Sequence, residues 1–257
     1  MSDRFASVVG RPVAGHPGAP VLRLAGDLLH ITLNRPAEHN RLDPADIDAL
    51  RGLFDDLSRE RNVRALVFTG TGPKTFSSGY TLQAIANELD DRFERMLDAL
   101  EALPMITLVA FNGSVYGGAT DLALCCDLRI GVRGMRMFMP AARFALHYYP
   151  GGLRRYVTRL GLSAAKKLFL TAMTIESEEM LRIGFLNELV DPSELTGRVE
   201  NYLDAIGQTE PGSVAQMKQH LNQVADGTAD YGQLAQAYAD SLRSEELHRR
   251  LRELLGS

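Results

Sequence analysis

The chain has 257 residues, 45% of them hydrophobic and 23% charged, with a formal net charge of −4. That length holds one large domain, or a domain plus an appendage, with a sizeable core. The slightly acidic balance excludes an electrostatic case for nucleic acid or a charged membrane surface as partner, and the uncharged run from Leu103 to Thr120 is broken by Pro104, Asn112 and glycines, so no membrane span is expected.

Residues 1–19, ending in "GHPGAP", read as a flexible Gly/Pro-rich tail. Asp3, Arg4 and Arg11 interrupt any apolar leader, which sets cytoplasmic residence as the expectation. Two short strands follow, "VLRLAG" and "LLHITLN", with a turn between them. "PADIDALRGLFDDLSRE" carries apolar residues at helical spacing, with Asp43 as N-cap before Pro44. "RALVFTG" reads as a buried strand, "LQAIANELDDRFERMLDALEAL" as one helix, and "MITLVAFNG" as another buried strand. Then come the helix "GATDLALCC", the strand "DLRIGVR" and the short piece "MRMFMP". The adjacent Cys125 and Cys126 read as reduced core residues, since helix neighbours rarely bridge. No His or Cys stands at ligand spacing from them, so no metal is expected.

Alternating strands and helices predict an α/β fold with mostly parallel strands. From Ser163 the chain reads as helical, through "SAAKKLFLTA", "SEEMLRIGF", "PSELTGRVENYLDAI" and "SVAQMKQHLNQVA". It ends in one long amphipathic pattern, "YGQLAQAYADSLRSEELHRRLRELL", of the kind that packs on a core or on another subunit.

Three glycine loops follow strands. "TGTGPKTF" lacks the Gly-Lys-Ser/Thr of a phosphate loop and opens no helix. "FSSGY", Phe76 to Tyr80, and "VYGGATD", Val115 to Asp121, each lead from a strand into a helix with glycine at the bend. The first amides of a helix are unpaired and lie at the positive end of its dipole. Two such amides converging on one oxygen would stabilise a developing oxyanion, at about 3 kcal/mol for a single donor. Asp121, in the first turn, reads equally as a reagent or as an acid favoured by the dipole.

"FSSGY", "NGSVYGGATDLALCCDLRI", "P-GG-RRY--RLG", "AKKLFLTA" and "GFLNELV", in that order, resemble the crotonase (enoyl-CoA hydratase/isomerase) superfamily. The resemblance covers about residues 20 to 225, including "LNRPAEHNRLD" and "PGSVAQMKQHLN". It implies a crotonase-like spiral of β-β-α turns over residues 20–200 and a helical trimerisation or lid region over 201–257. It also implies a homotrimer or a dimer of trimers. The implied substrate is an acyl-CoA thioester, with no metal or redox cofactor and coenzyme A entering only as part of the substrate.

Carried onto this sequence, the resemblance places the oxyanion amides at Tyr80 and Gly118, with Ser78, Gly79 and Gly117 in the substrate loops. Lys74 and Arg35 are the implied contacts for the coenzyme A phosphates. In hydratases of the family two glutamates handle the water. Their positions here are Asp121 and Ala141, so the pair is incomplete and efficient hydration is not expected. The loop "RFALHYYPGG" supplies Tyr149 and His147 as further acid or donor candidates. Double-bond isomerisation, decarboxylation and thioester hydrolysis remain open, as does a non-catalytic acyl-CoA binder.

Overall fold

The computed structural model describes residues 10–88 and 90–255. The part of the expected N-terminal tail before residue 10 lies outside the described residues. Within the rest of that stretch, β1 (Arg11–Pro12) pairs antiparallel with β2 (Val21–Ala25), and Val13 N–H donates to Pro20 O at 2.8 Å. β2 turns back through Gly26, at φ 64°, into β3 (Leu28–Leu33). Helix α1 (Pro44–Leu57) starts as the sequence predicts. Asp43 is its N-cap, and Asp46 Oδ2 accepts from Asp43 N–H at 2.9 Å.

A three-part unit then recurs. Each time, one strand joins a large sheet, a short strand joins a small sheet, and helix returns the chain. The first unit is β4 (Ala65–Gly70), β5 (Thr75–Ser77), α2 (Leu82–Glu88) and α3 (Arg92–Glu101). The second is β6 (Ile106–Ala110), β7 (Ser114–Tyr116) and α4 (Gly118–Cys125). The third is β8 (Leu128–Val132), β9 (Arg136–Phe138), α5 (Pro150–Leu160) and α6 (Leu162–Thr171). β10 (Ile175–Glu176), α7 (Ser177–Arg182), β11 (Glu188–Val190) and α8 (Leu195–Gly207) close the spiral. The large sheet runs β1-β2-β3-β4-β6-β8-β11 and is parallel from β3 onward. The small sheet runs β10-β9-β7-β5, parallel from β9 to β5. This is the β-β-α spiral, and it stacks the loops that follow β5 and β7 side by side.

Both faces of the large sheet are covered, so its strands read as continuous apolar runs. Along β4, Leu66 and Phe68 enter the main core with Phe54, Phe76 and Phe111. Val67 points the other way, into a smaller core of Leu108, Ala110, Ile130, Val190 and Val199 of α8. Each fully buried side chain of this size contributes roughly 1.5–3 kcal/mol.

Two helices expected as continuous are interrupted. The "LQAIANELDDRFERMLDALEAL" stretch ends one helix at Glu88 and begins another at Arg92. Asp90 Oδ1 accepts from Arg92 N–H at 2.9 Å, and Asp91 is the N-cap, so the acids compete with helical bonding and restart it. The C-terminal pattern likewise divides into α10 (Tyr231–Ser241) and α11 (Glu245–Leu255), where Ser244 Oγ accepts from Leu247 N–H. α9 (Pro211–Ala225) precedes them, and the division into two compact units falls inside it, between Ala215 and Gln216. The unit from Gln216 exposes Leu221, Tyr231, Tyr238, Leu242 and Leu254. No helix among the described residues is long and apolar enough to cross a membrane.

Candidate active site

The two glycine loops meet. Gly79 adopts φ 83°, and a Cβ there would lie 2.7 Å from Gly118 N and 2.9 Å from Tyr116 O. Only glycine permits both the backbone angle and the approach. Its loop is pinned by Ser78 N–H to His39 O, Leu42 N–H to Gly79 O and Thr81 N–H to Leu42 O, at 2.8 to 3.0 Å. Gly79 N–H donates to Ser77 Oγ. On the second loop, Gly117 has φ 56° and ψ −134°, and its N–H donates to Phe138 O at 3.1 Å. α4 opens at Gly118 with no side-chain cap over its first amides. Phe93 of α3 packs beneath both loops. A Cβ on Gly118 would strike its ring at 2.8 Å, and it stacks on Tyr80 at 5.5 Å and 21°.

Above them is a cavity of about 200 Å³. Ser78, Tyr80, Gly117 and Gly118 line one end, and Leu82, Ile85, Phe93, Met139, Ala141 and Leu146 form apolar walls. The polar side chains on the lining include Glu94, His147, Tyr148 and Tyr149. All these residues belong to the unit that ends at Ala215.

Asp121 is not on that lining. It is fully buried, and Arg155 of α5 grips it at two points, Nε to Oδ1 at 2.9 Å and Nη2 to Oδ2 at 3.0 Å. Tyr149 O–H donates to Asp121 Oδ2 at 2.6 Å, and the Tyr148 hydroxyl lies 3.0 Å from that of Tyr149. With the Tyr149 proton committed to the carboxylate, Tyr148 is the donor in the second bond. Burial, then the Asp121 charge, push both phenols well above the ordinary tyrosine range. Burial opposes the Arg155 charge, yet Asp121 and Glu101 outweigh it and raise that group further. Arg155 also donates to Asp98 at 3.0 Å and Glu101 at 3.1 Å, and Arg154 and Arg159 pair with Glu101. A charge lattice thus lies behind the tyrosines, buried at Arg155, Asp121 and Glu101 and open to solvent at Asp98.

His147 is exposed at the rim, where Nδ1 donates to Tyr148 O at 2.8 Å. Ala141, at the second glutamate position, is a buried part of the cavity wall. Lys74 is exposed and absent from the lining. Arg35, expected to meet phosphate, lies instead in an ion pair with the fully buried Asp46, Nη1 to Oδ2 at 2.6 Å. Its Nη1 also donates to Arg41 O, and its Nη2 contacts His16 Nδ1. A phosphate would have to displace these partners.

The structure adds three residues to which sequence reading gave no role: Glu94, Tyr148 and Arg155. Their signal was present but ambiguous. Glu94, Asp98 and Glu101 recur at i, i+4 and i+7, which describes a solvated helix face as well as a functional edge.

Over residues 24–246 the sequence matches the enoyl-CoA hydratase/isomerase family. The chain is 29% identical to the short-chain-enoyl-CoA hydratase of Clostridium acetobutylicum over 209 residues, 79% of this chain and 80% of that protein. It is 32% identical to enoyl-CoA hydratase AKT6-1 of Alternaria alternata over 234 residues, 88% of this chain and 76% of that one. Among solved structures, DspI of Pseudomonas aeruginosa superposes with a TM-score of 0.85 at 25% identity, covering 100% of this chain and 97% of that one.

Proposed function

The chain belongs to the enoyl-CoA hydratase/isomerase family and is an acyl-CoA thioester enzyme of that type, and from that premise we propose that it forms a thioester enolate against the backbone amides of Tyr80 and Gly118. The observation that carries this reading is the close approach of Gly79 to Gly118 N at one end of an apolar cavity. Loss of a proton from the α-carbon puts charge on the thioester oxygen. Fixed amides, that of Gly118 at the start of α4, answer that charge without reorganising. Ser78, Gly79 and Gly117 shape the slot, and the apolar walls receive the acyl chain.

Asp121 acts through Tyr149. Its two oxygens are held by Arg155, and it orients the phenol that lines the cavity. Because Ala141 offers no carboxylate, water activation by paired acids is not its chemistry. The reaction is proton transfer on carbon, as in double-bond isomerisation. The discriminating experiment offers the enzyme 3-butenoyl-CoA and crotonyl-CoA. Conversion of the first to crotonyl-CoA, with little hydration of the second, is expected. Turnover of crotonyl-CoA to 3-hydroxybutanoyl-CoA at the faster rate of the two overturns the assignment.

Lys74 is the coenzyme A phosphate contact we favour over Arg35, because its ammonium is exposed. Assembly as a homotrimer or a dimer of trimers belongs to the same proposal. It is supported by the apolar side chains exposed from Gln216 onward, and sedimentation equilibrium tests it. Cytoplasmic residence is proposed likewise, in keeping with the buried thiols of Cys125 and Cys126.

A further inference from the structure

The acid edge of α3 faces the arginines of α5 in register. Asp98 meets Arg155, and Glu101 meets Arg154, Arg155 and Arg159. One turn earlier on α3 stands Glu94. One turn earlier on α5, where another arginine would complete the series, stands Gly151. A Cβ built on Gly151 would lie 3.1 Å from Glu94 Oε1 and 3.3 Å from both Arg155 Nη2 and Asp98 Oδ1, so a side chain there would crowd the carboxylate by a few tenths of an ångström. Gly151 N–H, in the first turn of α5, donates to Glu94 Oε1 at 3.0 Å. No lysine or arginine pairs with Glu94 among the described residues, whereas Asp98, Glu101 and Asp121 all have such partners.

Three features set Glu94 apart as a reagent. It lines the cavity, and Asp121 does not. It directly follows Phe93, whose ring packs on both loops that carry the proposed oxyanion amides. One of its oxygens is anchored by a backbone donor, which fixes its direction and leaves the other oxygen as acceptor. The neighbouring phenols cannot take this role, because the proton chain Tyr148 to Tyr149 to Asp121 already uses both hydroxyl hydrogens and both groups resist ionisation.

We propose that Glu94 is the catalytic base of this cavity, taking the α-proton of the acyl thioester in a lining where Ala141 leaves the second acid position vacant. The proposal rests on the enolate reading above. The α C–H bond breaks and the proton passes to a Glu94 carboxylate oxygen. The bond's electron pair forms the enolate double bond and leaves charge on the thioester oxygen. Reversal returns a proton to the α-carbon, or to the γ-carbon of a 3-enoyl chain, so no co-reactant is consumed.

The test is α-deuterium incorporation into butanoyl-CoA in D2O, followed by mass spectrometry for the wild type, Glu94→Gln and Glu94→Asp. Gln keeps an oxygen for Gly151 N–H and removes only the basicity. The expected loss for Glu94→Gln is about 100-fold, with butanoyl-CoA affinity by calorimetry unchanged and partial recovery in Glu94→Asp. A loss below about tenfold, or one matched by an equal loss of affinity, overturns the assignment of Glu94 while wild-type exchange upholds the enolate reading. A wild type that binds butanoyl-CoA but never exchanges, and fails to isomerise 3-butenoyl-CoA, overturns both.

Discussion

The far side of the α3–α5 contact and its cavity end are built from the same kinds of residue with opposite consequences. On the far side, Asp98, Glu101 and Asp121 converge on Arg155, itself fully buried, and every charge there is answered by another. At the cavity end, one turn away, Glu94 meets a backbone amide and apolar walls. A paired, desolvated carboxylate is costly to change in protonation, because its partner would be stranded. Glu94, held by a neutral donor, has no ion pair to break among the described residues. Partners, more than position in a motif, therefore separate the acids that hold the site from the one that works in it.

The largest expected effect breaks the lattice. Arg155→Met leaves Asp121 and Glu101 buried beside a thioether, and folding free energy should fall by about 3–5 kcal/mol in urea titrations. A loss below about 1 kcal/mol would mean the lattice is not structural, and the contrast with Glu94 would collapse. Adding Asp121→Leu to Arg155→Met should recover part of the loss, because the Asp121 charge is then no longer stranded.

Asp121→Asn comes next. Asn retains one acceptor, and Arg155 keeps Asp98 and Glu101, so the expected cost is about 1–3 kcal/mol. Exchange of butanoyl-CoA should fall by less than about tenfold, since Asp121 acts through Tyr149. A fall of about 100-fold or more in a normally folded variant would make Asp121 the reagent.

A smaller effect appears with acid. Burial disfavours the Glu101 charge, but Arg155, Arg159 and Arg154 more than offset this and hold its folded value below the ordinary 4.5. The unfolded chain therefore binds the proton first as pH falls. Glu101 contributes stability that is present above its unfolded value and is lost as pH drops through its folded value. Glu101→Gln should be less stable at neutral pH and should flatten that acid-side decline, as thermal melts across pH will measure.

Much of this was legible beforehand, and what was not has a physical cause. The strands β4 and β6 are apolar on both faces because α8 covers the second face, and continuous apolar runs reveal that. Gly79 stands out because a close backbone approach leaves no room for a side chain, and Gly117 because its φ of 56° with ψ of −134° favours glycine. The breaks near Asp90 and Ser244 were hidden, since the apolar spacing continues across them and only local polar bonding interrupts the helix. Arg35 misled for a related reason. A basic residue near a turn looks available until the fold supplies Asp46, which lies a helix turn beyond its own cap. Glu94 was ambiguous as a site because what distinguishes it is a backbone amide on α5 where its neighbours on α3 meet arginines, and the acid spacing along α3 is the same for all three.

The smallest effect decides between the two groups on the lining that have no ionic partner among the described residues. His147 Nδ1 donates to Tyr148 O, so the neutral ring presents Nε2 as an acceptor, and an imidazole at the cavity rim is a chemically sound base. Its exposure argues the other way. A rim imidazole stays open to solvent and is held by the carbonyl of its own neighbour, Tyr148, while Glu94 is held by Gly151 of α5 beside the ring that packs on both oxyanion loops. His147→Gln keeps a donor for the carbonyl and should change stability by less than about 0.5 kcal/mol, as for other exposed sites. Deuterium incorporation should stay within about threefold of the wild type, because the group removed lies outside the proton path. If His147→Gln instead lost about 100-fold while Glu94→Gln lost little, the base would sit at the rim, and the Gly151 N–H bond to Glu94 would be only a helix-start contact.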